Sequence, residues 1–195
     1  MCKAASASHR RYKRCRSGLI RADVVARGRQ HADLPFDSSY REGETRTCIV
    51  VNGAHETDVI ENISFTDVHI TYDGGGTAQE ATRNVPQMAG EYFEIGTPPA
   101  YGLYARNVRG LTLDNVRFQT LNPDLRPAIV FDHVEDATVA NVTMEANEQA
   151  RSAMRMIASK DVLISAPRVL PRVANFLQQD GTNSNIVVQG GNVST

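Results

Sequence analysis

Ala105-Arg-Asn-Val-Arg-Gly-Leu-Thr-Leu-Asp-Asn-Val-Arg-Phe118 is followed, 26 residues on, by Phe131-Asp-His-Val-Glu-Asp-Ala-Thr-Val-Ala-Asn-Val-Thr-Met144. Ala105, Val108, Leu111, Leu113, Asn115, Val116 and Phe118 map onto Phe131, Val134, Ala137, Val139, Asn141, Val142 and Met144. The register recurs upstream as Ile60, Ile63, Phe65, Asp67, Val68 and Ile70, shifted by 48, a step that must hold one repeat and a long insertion. Downstream, Met156, Val162 and Ile164 continue it at a step of 25, and Ile186 and Val188 at a step of 24, without the Asn or Asp. A faint copy precedes them all at Leu19, Asp23, Val24 and Ala26. Repeats of roughly 20–30 residues signal a solenoid or an array.

The period within each repeat selects strands. Leu111-Thr-Leu-Asp114 and Ala137-Thr-Val-Ala140 mostly alternate apolar with small polar residues, which points alternate side chains inward from a strand. Each repeat breaks at Asp67, Asn115 or Asn141 and resumes at once. Asn and Asp are the non-glycine residues that most readily adopt the left-handed conformation, so one of them can turn the chain between two short strands. The strands are joined by corners, not hairpins. Equivalent corners stack strands in parallel, and the expected fold is all-β, a partial single-stranded solenoid of the parallel β-helix type. Leu111 is expected over Ala137, and Leu113 over Val139.

Composition fits a narrow aliphatic core: 41% of residues are hydrophobic and none is Trp. The net charge of −1 conceals a division, since residues 1–30 hold nine Lys/Arg against Asp23 alone, whereas residues 47–195 hold ten basic and seventeen acidic residues. The expected organisation is a basic, unstructured leader at 1–18, then strand repeats over 19–195 with an inserted loop at 72–100. The leader's Arg/Lys cluster suits a nucleic-acid arm or an Arg-rich transit segment. A solvated tail is the favoured reading, because the charge run is short and no nucleic-acid motif follows it. No apolar run is long enough to cross a membrane, and no secretory signal is recognisable. Cys2, Cys15 and Cys48 lack disulfide or zinc spacing, and no cofactor or metal is expected.

The insertion opens with Gly74-Gly-Gly76, read as an exit from the repeat and not a phosphate loop, since the Gly-Lys-Ser/Thr pattern is missing. Thr77 to Val85 is helix-compatible, with Thr77 as cap and Glu80 three residues on, until Pro86 ends it. Tyr92 in the insertion, with Tyr101 and Tyr104 just beyond, either plugs the body of the fold or stacks on a sugar; Glu91 and Glu94 flank Tyr92 and Phe93. These five residues are the candidate substrate-binding set. Asp132, His133, Glu135 and Asp136 form a charged bend, read as a solvated corner. His69 is expected to point outward.

Cys48-Ile-Val-Val-Asn-Gly53, Ile60-Glu-Asn-Ile-Ser-Phe-Thr-Asp-Val-His-Ile70, Gly74-Gly-Gly-Thr77, Val85-Pro86, Pro99-Ala-Tyr-Gly-Leu-Tyr104 and Arg106-x-Val-x-Gly-Leu111 resemble the C-terminal coils of glycoside hydrolase family 28, in its bacterial polygalacturonase-like branch. The resemblance covers about residues 47–146. It implies a right-handed parallel β-helix from a lineage that hydrolyses galacturonan or related pectic linkages with inversion. It also implies an exported or periplasmic setting and a pectic polysaccharide as partner. The lineage's Asn-Thr-Asp, Asp-Asp, Gly-His-Gly and Arg-Ile-Lys motifs do not occur in this sequence, so no catalytic residue carries over. The expected role is a C-terminal β-helix portion inactive alone, with a noncatalytic carbohydrate-binding or structural β-helix, or a truncated product, as alternatives. An uncovered first coil, with Val50 and Val51 facing water, would favour self-association.

Overall fold

The computed structural model describes residues 14–15, 18–21, 48–88, 95–171 and 175–193. The strands are β1 (Arg14–Cys15), β2 (Gly18–Arg21), β3 (Ile49–Gly53), β4 (Ile60–Thr66), β5 (His69–Gly74), β6 (Leu103–Asp114), β7 (Arg117–Asn122) and β8 (Ile129–Ala140). They continue as β9 (Thr143–Glu145), β10 (Met154–Ile157), β11 (Lys160–Ser165), β12 (Arg168–Leu170), β13 (Leu177–Asp180) and β14 (Ser184–Gln189), and the short helix α1 (Ala78–Ala81) lies between β5 and β6. The protein is all-β, built from parallel sheets.

The sequence repeats are the register of those sheets. Leu111 pairs with Ala137 and Leu113 with Val139 in parallel β6 and β8, with strands about 4.8 Å apart. The 48-residue step places Ile60, Ile63 and Phe65 beside Val108, Leu111 and Leu113. The later steps place Val162 beside Ala137 and Ile186 beside Val162. A second sheet has the order β12-β9-β7-β5, and in it Ile70, Phe118, Met144 and Val169 line up across four parallel strands. The inward columns are almost fully buried from Leu103 to Ile164, and each large aliphatic side chain removed from water contributes about 1.5–3 kcal/mol. Burial thins at the last repeat, where Ile186 and Val188 are half-exposed.

Three columns of left-handed residues shape each repeat. Asp67, Asn115 and Asn141, at φ 56°, 50° and 54°, are the expected corners, and Ala166 and Gly190 continue their column. Two further columns run through the long strands: Asn62, Gly110, Asp136, Asp161 and Asn185, and then Asn107, His133, Ala158 and Gly181. The Asp132–Asp136 bend is therefore not a gap between strands. It consists of two left-handed residues, His133 and Asp136, inside continuous β8. Side chains reinforce the columns, as Asn115 Nδ2 donates to Asp67 Oδ1 at 2.7 Å and Asn185 Nδ2 to Asp161 Oδ1 at 2.7 Å.

The upstream end differs from expectation. β2 pairs with β3 antiparallel, with Leu19 opposite Asn52, and β1 pairs antiparallel with β2. Leu19 is therefore not part of a parallel copy; Asp23, Val24 and Ala26 lie outside the described residues. Val50 and Val51 do not face water: they are 9% and 0% exposed, Val50 packed against Val85, Ile95 and Tyr104 and Val51 in the main core, while β2 pairs with the edge of β3.

Candidate functional site

The insertion lies as a strap across the outward face of β3, β6, β8 and β10. Its two ends are fastened by one ion pair. Asp124 Oδ2 accepts from the Gly76 amide at 2.9 Å, while Arg126 Nη1 donates to the carbonyls of Pro98 and Ala100 at 3.3 and 3.2 Å. Arg126 and Asp124 meet at 2.7 Å with side chains 1% exposed, and a second bond runs from Nε to Oδ1 at 3.0 Å. A buried pair of this kind holds geometry because each charge satisfies the other and neither can be removed alone. Gly76 is required there, since a Cβ would collide with both the guanidinium and the carboxylate.

After the glycines, Thr77 and Glu80 form the expected capping box around α1, the Thr77 amide donating to Glu80 Oε2 at 2.7 Å. The helix ends at Ala81 instead of reaching Val85. The residue before a proline resists the helical conformation. Arg106 moreover draws the carbonyls of Val85 and Pro86 to itself at 2.7 and 2.6 Å. The same guanidinium donates to Asn52 Oδ1 at 2.9 Å, and Asn52 Nδ2 donates to the Met88 carbonyl at 3.0 Å. Arg155 Nη1 donates to the Ala81 carbonyl at 3.1 Å. Between these polar ties, Val85 and Ile95 of the strap pack with Cys48, Val50, Ala100, Tyr104 and Val130. The Cys48 thiol is inert in this setting, its pKa pushed up to about 12 by burial.

Of the candidate substrate-binding residues, Glu91, Tyr92 and Glu94 lie outside the described residues. Tyr101 and Tyr104 are each 1% exposed. Rings with no face to solvent cannot stack on a sugar, so their role is packing. Tyr101 meets Tyr72 edge-on, with centroids 6.3 Å apart, and its hydroxyl donates to the Glu145 carbonyl. Tyr104 donates to Asp132 Oδ2 at 2.9 Å. Burial raises the pKa of both phenols, keeping them neutral donors.

The accessible chemistry is on the neighbouring face, along β4, β6, β8 and β11. Glu61, Arg109, Glu135 and Lys160 occupy one register position on successive strands. Their contacts alternate in sign: Arg109 with Glu61 at 3.3 Å, Arg109 with Glu135 at 3.4 Å, Lys160 with Glu135 at 3.0 Å. Beside this column a cleft of about 230 Å³ is lined by Glu56, Val59, Asn107, Val108, Arg109, His133 and Glu135. His133 Nδ1 is 2.7 Å from Asp132 Oδ1, and an ionised carboxylate only accepts, so Nδ1 carries the hydrogen. His69 is exposed on β5, and His55 is exposed beside Glu56 without lining the cleft. Among the described residues, no cluster of His, Cys, Asp and Glu could hold a metal ion.

Inverting hydrolysis needs a carboxyl group with a raised pKa. Glu135 moves the other way, lowered chiefly by its hydrogen bond from Lys160. Asp180 is pushed up by burial, but its bonds from Arg155 and Gln178 outweigh this and lower it overall. The composite cleft was not read from the sequence. The alternating column could have been, because Glu61, Arg109 and Glu135 share the register of the 48- and 26-residue steps. Comparisons with family models, curated proteins and solved structures find no match for this chain.

Proposed function

We propose that the chain is a C-terminal portion of a right-handed parallel β-helix from a polygalacturonase-like glycoside hydrolase. In this reading it supplies scaffold and not the acid–base pair. The observation that carries the reading is the coincidence of the parallel register with the resembling motifs. The strands that align at steps of 48 and 26 are those of the family-like segments, and the Gly74-Gly-Gly76 and Pro99-Ala-Tyr-Gly102 segments lie at the two ends of the strap. The absence of all four catalytic motifs supports a role without turnover. Aromatic residues make up only 6% of the chain, and Tyr101 and Tyr104 are buried, which disfavours a dedicated sugar-stacking module.

Two measurements test this. Purified chain is expected to release no reducing sugar from polygalacturonate above a buffer control between mild acid and neutral pH; turnover would overturn the noncatalytic role. The reading frame around the coding sequence is expected to encode the four catalytic motifs upstream of this segment. Their absence from that frame would overturn the lineage.

A further inference from the structure

We propose that the cleft lined by Glu56, Asn107, Arg109, His133 and Glu135 binds a single neutral sugar ring. The inference rests on the carbohydrate reading above but concerns a different face from the one the strap covers. The cleft arises from a step in the repeats. Residues 54–59 connect β3 to β4, whereas the equivalent turn in the next repeat is Asn107 alone and in the one after it His133 alone. The longer connection stands over the two shorter turns, with the half-buried Val59 as apolar lining between polar groups and Val108 buried beneath.

Size limits the occupant. At about 230 Å³ the cleft is below the roughly 300–1,000 Å³ of sites for drug-sized ligands, which leaves room for one ring. The hydrogen-bonding pattern selects its chemistry. Glu56 has no hydrogen bond or ion pair among the described residues, so its carboxylate is a free acceptor. Tyr104 and Asp132 hold the His133 ring through Nδ1, which leaves Nε2 as a further polar atom for a hydroxyl group, able to accept from it when the ring is neutral. Arg109 has five N–H donors and only two are engaged, by Glu61 and Glu135. Acceptors and donors therefore alternate around an apolar lining. Hydroxyl groups both donate and accept, and the C–H face of a sugar ring is apolar, so a pyranose matches this pattern. Charge decides between neutral and acidic sugars. Arg109 and Lys160 offset Glu61 and Glu135 along the column, which leaves the Glu56 carboxylate as the uncompensated charge of the cleft. A uronate carboxylate would be repelled by Glu56. An alkylammonium would be attracted by charge but would leave the remaining Arg109 donors unmatched.

The test is an NMR titration of the full chain, following the His133 imidazole. The probes are methyl galactoside, methyl rhamnoside and methyl arabinoside, galacturonate, and n-butylammonium. At least one neutral glycoside is expected to shift the imidazole resonances saturably, with galacturonate at least tenfold weaker. Glu56→Ala, in an exposed connection, is expected to weaken that glycoside at least fivefold while the remaining spectrum is retained. The proposal is overturned if no neutral glycoside shifts His133, if galacturonate or butylammonium binds as tightly, or if Glu56→Ala leaves binding unchanged. None of these outcomes bears on the polygalacturonase-like reading, which fails instead on the reading frame. Glycoside binding in a protein whose frame lacks the motifs would keep the cleft and discard the lineage.

Discussion

Arg106 and Arg109 stand three residues apart on β6 and face opposite situations. Arg106 is 4% exposed beneath the strap, and its hydrogen bonds go to the carbonyls of Val85 and Pro86 and to Asn52. Arg109 is 53% exposed on the open face, and its contacts are the carboxylates of Glu61 and Glu135. The covered face is thus held by charges taken out of water and bonded to the backbone of the strap. The open face is held by charges that remain solvated and exchange easily with water and salt. A charged group removed from the first leaves orphaned polar atoms; removed from the second, it leaves hydrated neighbours.

The largest expected effect is at the clasp of the strap. Arg126→Ala leaves Asp124 buried and uncompensated, and urea denaturation is expected to show a loss of about 3–5 kcal/mol. Parent-like stability in that variant would erase the distinction between the two faces. Gly76→Ala drives a methyl group into the same ion pair and is expected to cost about 1–3 kcal/mol by the same measurement. A corner common to the whole stack comes next. Asn115→Val places a β-branched residue at φ 50° and is expected to cost about 1–2 kcal/mol, with the hydrogen bond to Asp67 lost as well.

The smallest effects belong to the open face. Arg109→Ala is expected to move the urea midpoint only slightly, and the difference should vanish at high salt, since exposed pairs are screened. A salt-independent loss would show that this face is drier than its exposure implies. Acid titration sharpens the point. Glu135 and Asp180 are both lowered in the folded protein, so the unfolded chain binds more protons and stability is lost as pH falls below the ordinary carboxylate range near 4. Glu135→Gln is expected to flatten that part of the stability–pH curve; an unchanged slope would remove Glu135 from the account.

The parallel register and the corners were legible because alternation and the Asn/Asp signature are both local. Leu111 and Asn115 announce what they do within five residues of sequence. The left-handed columns were not legible in full, because Ala166 in the corner column and Ala158 in another have no side-chain signature for that conformation and are held there by the stacked strands. The faint copy at Leu19 failed for the same reason in reverse. A few apolar matches cannot tell parallel stacking from the antiparallel pairing that β2 makes with β3. Burial of Arg106, Tyr101 and Tyr104 depends on where a distant segment lies, and nothing near those residues in the chain states it. The capping box of α1 was local and therefore visible; the carbonyl at its end, on Ala81, is bound by Arg155, far along the chain, and that was not.

The alternating column of Glu61, Arg109, Glu135 and Lys160 gives the stack a parity. If the Arg109 repeat were deleted, or skipped during folding, Glu61 would come to rest against Glu135, like charge on like. If the repeats of Arg109 and Glu135 were lost together, Glu61 would meet Lys160 and the column would again be attractive. Along this face, lengthening or shortening the protein by two repeats preserves the pattern, and changing it by one does not.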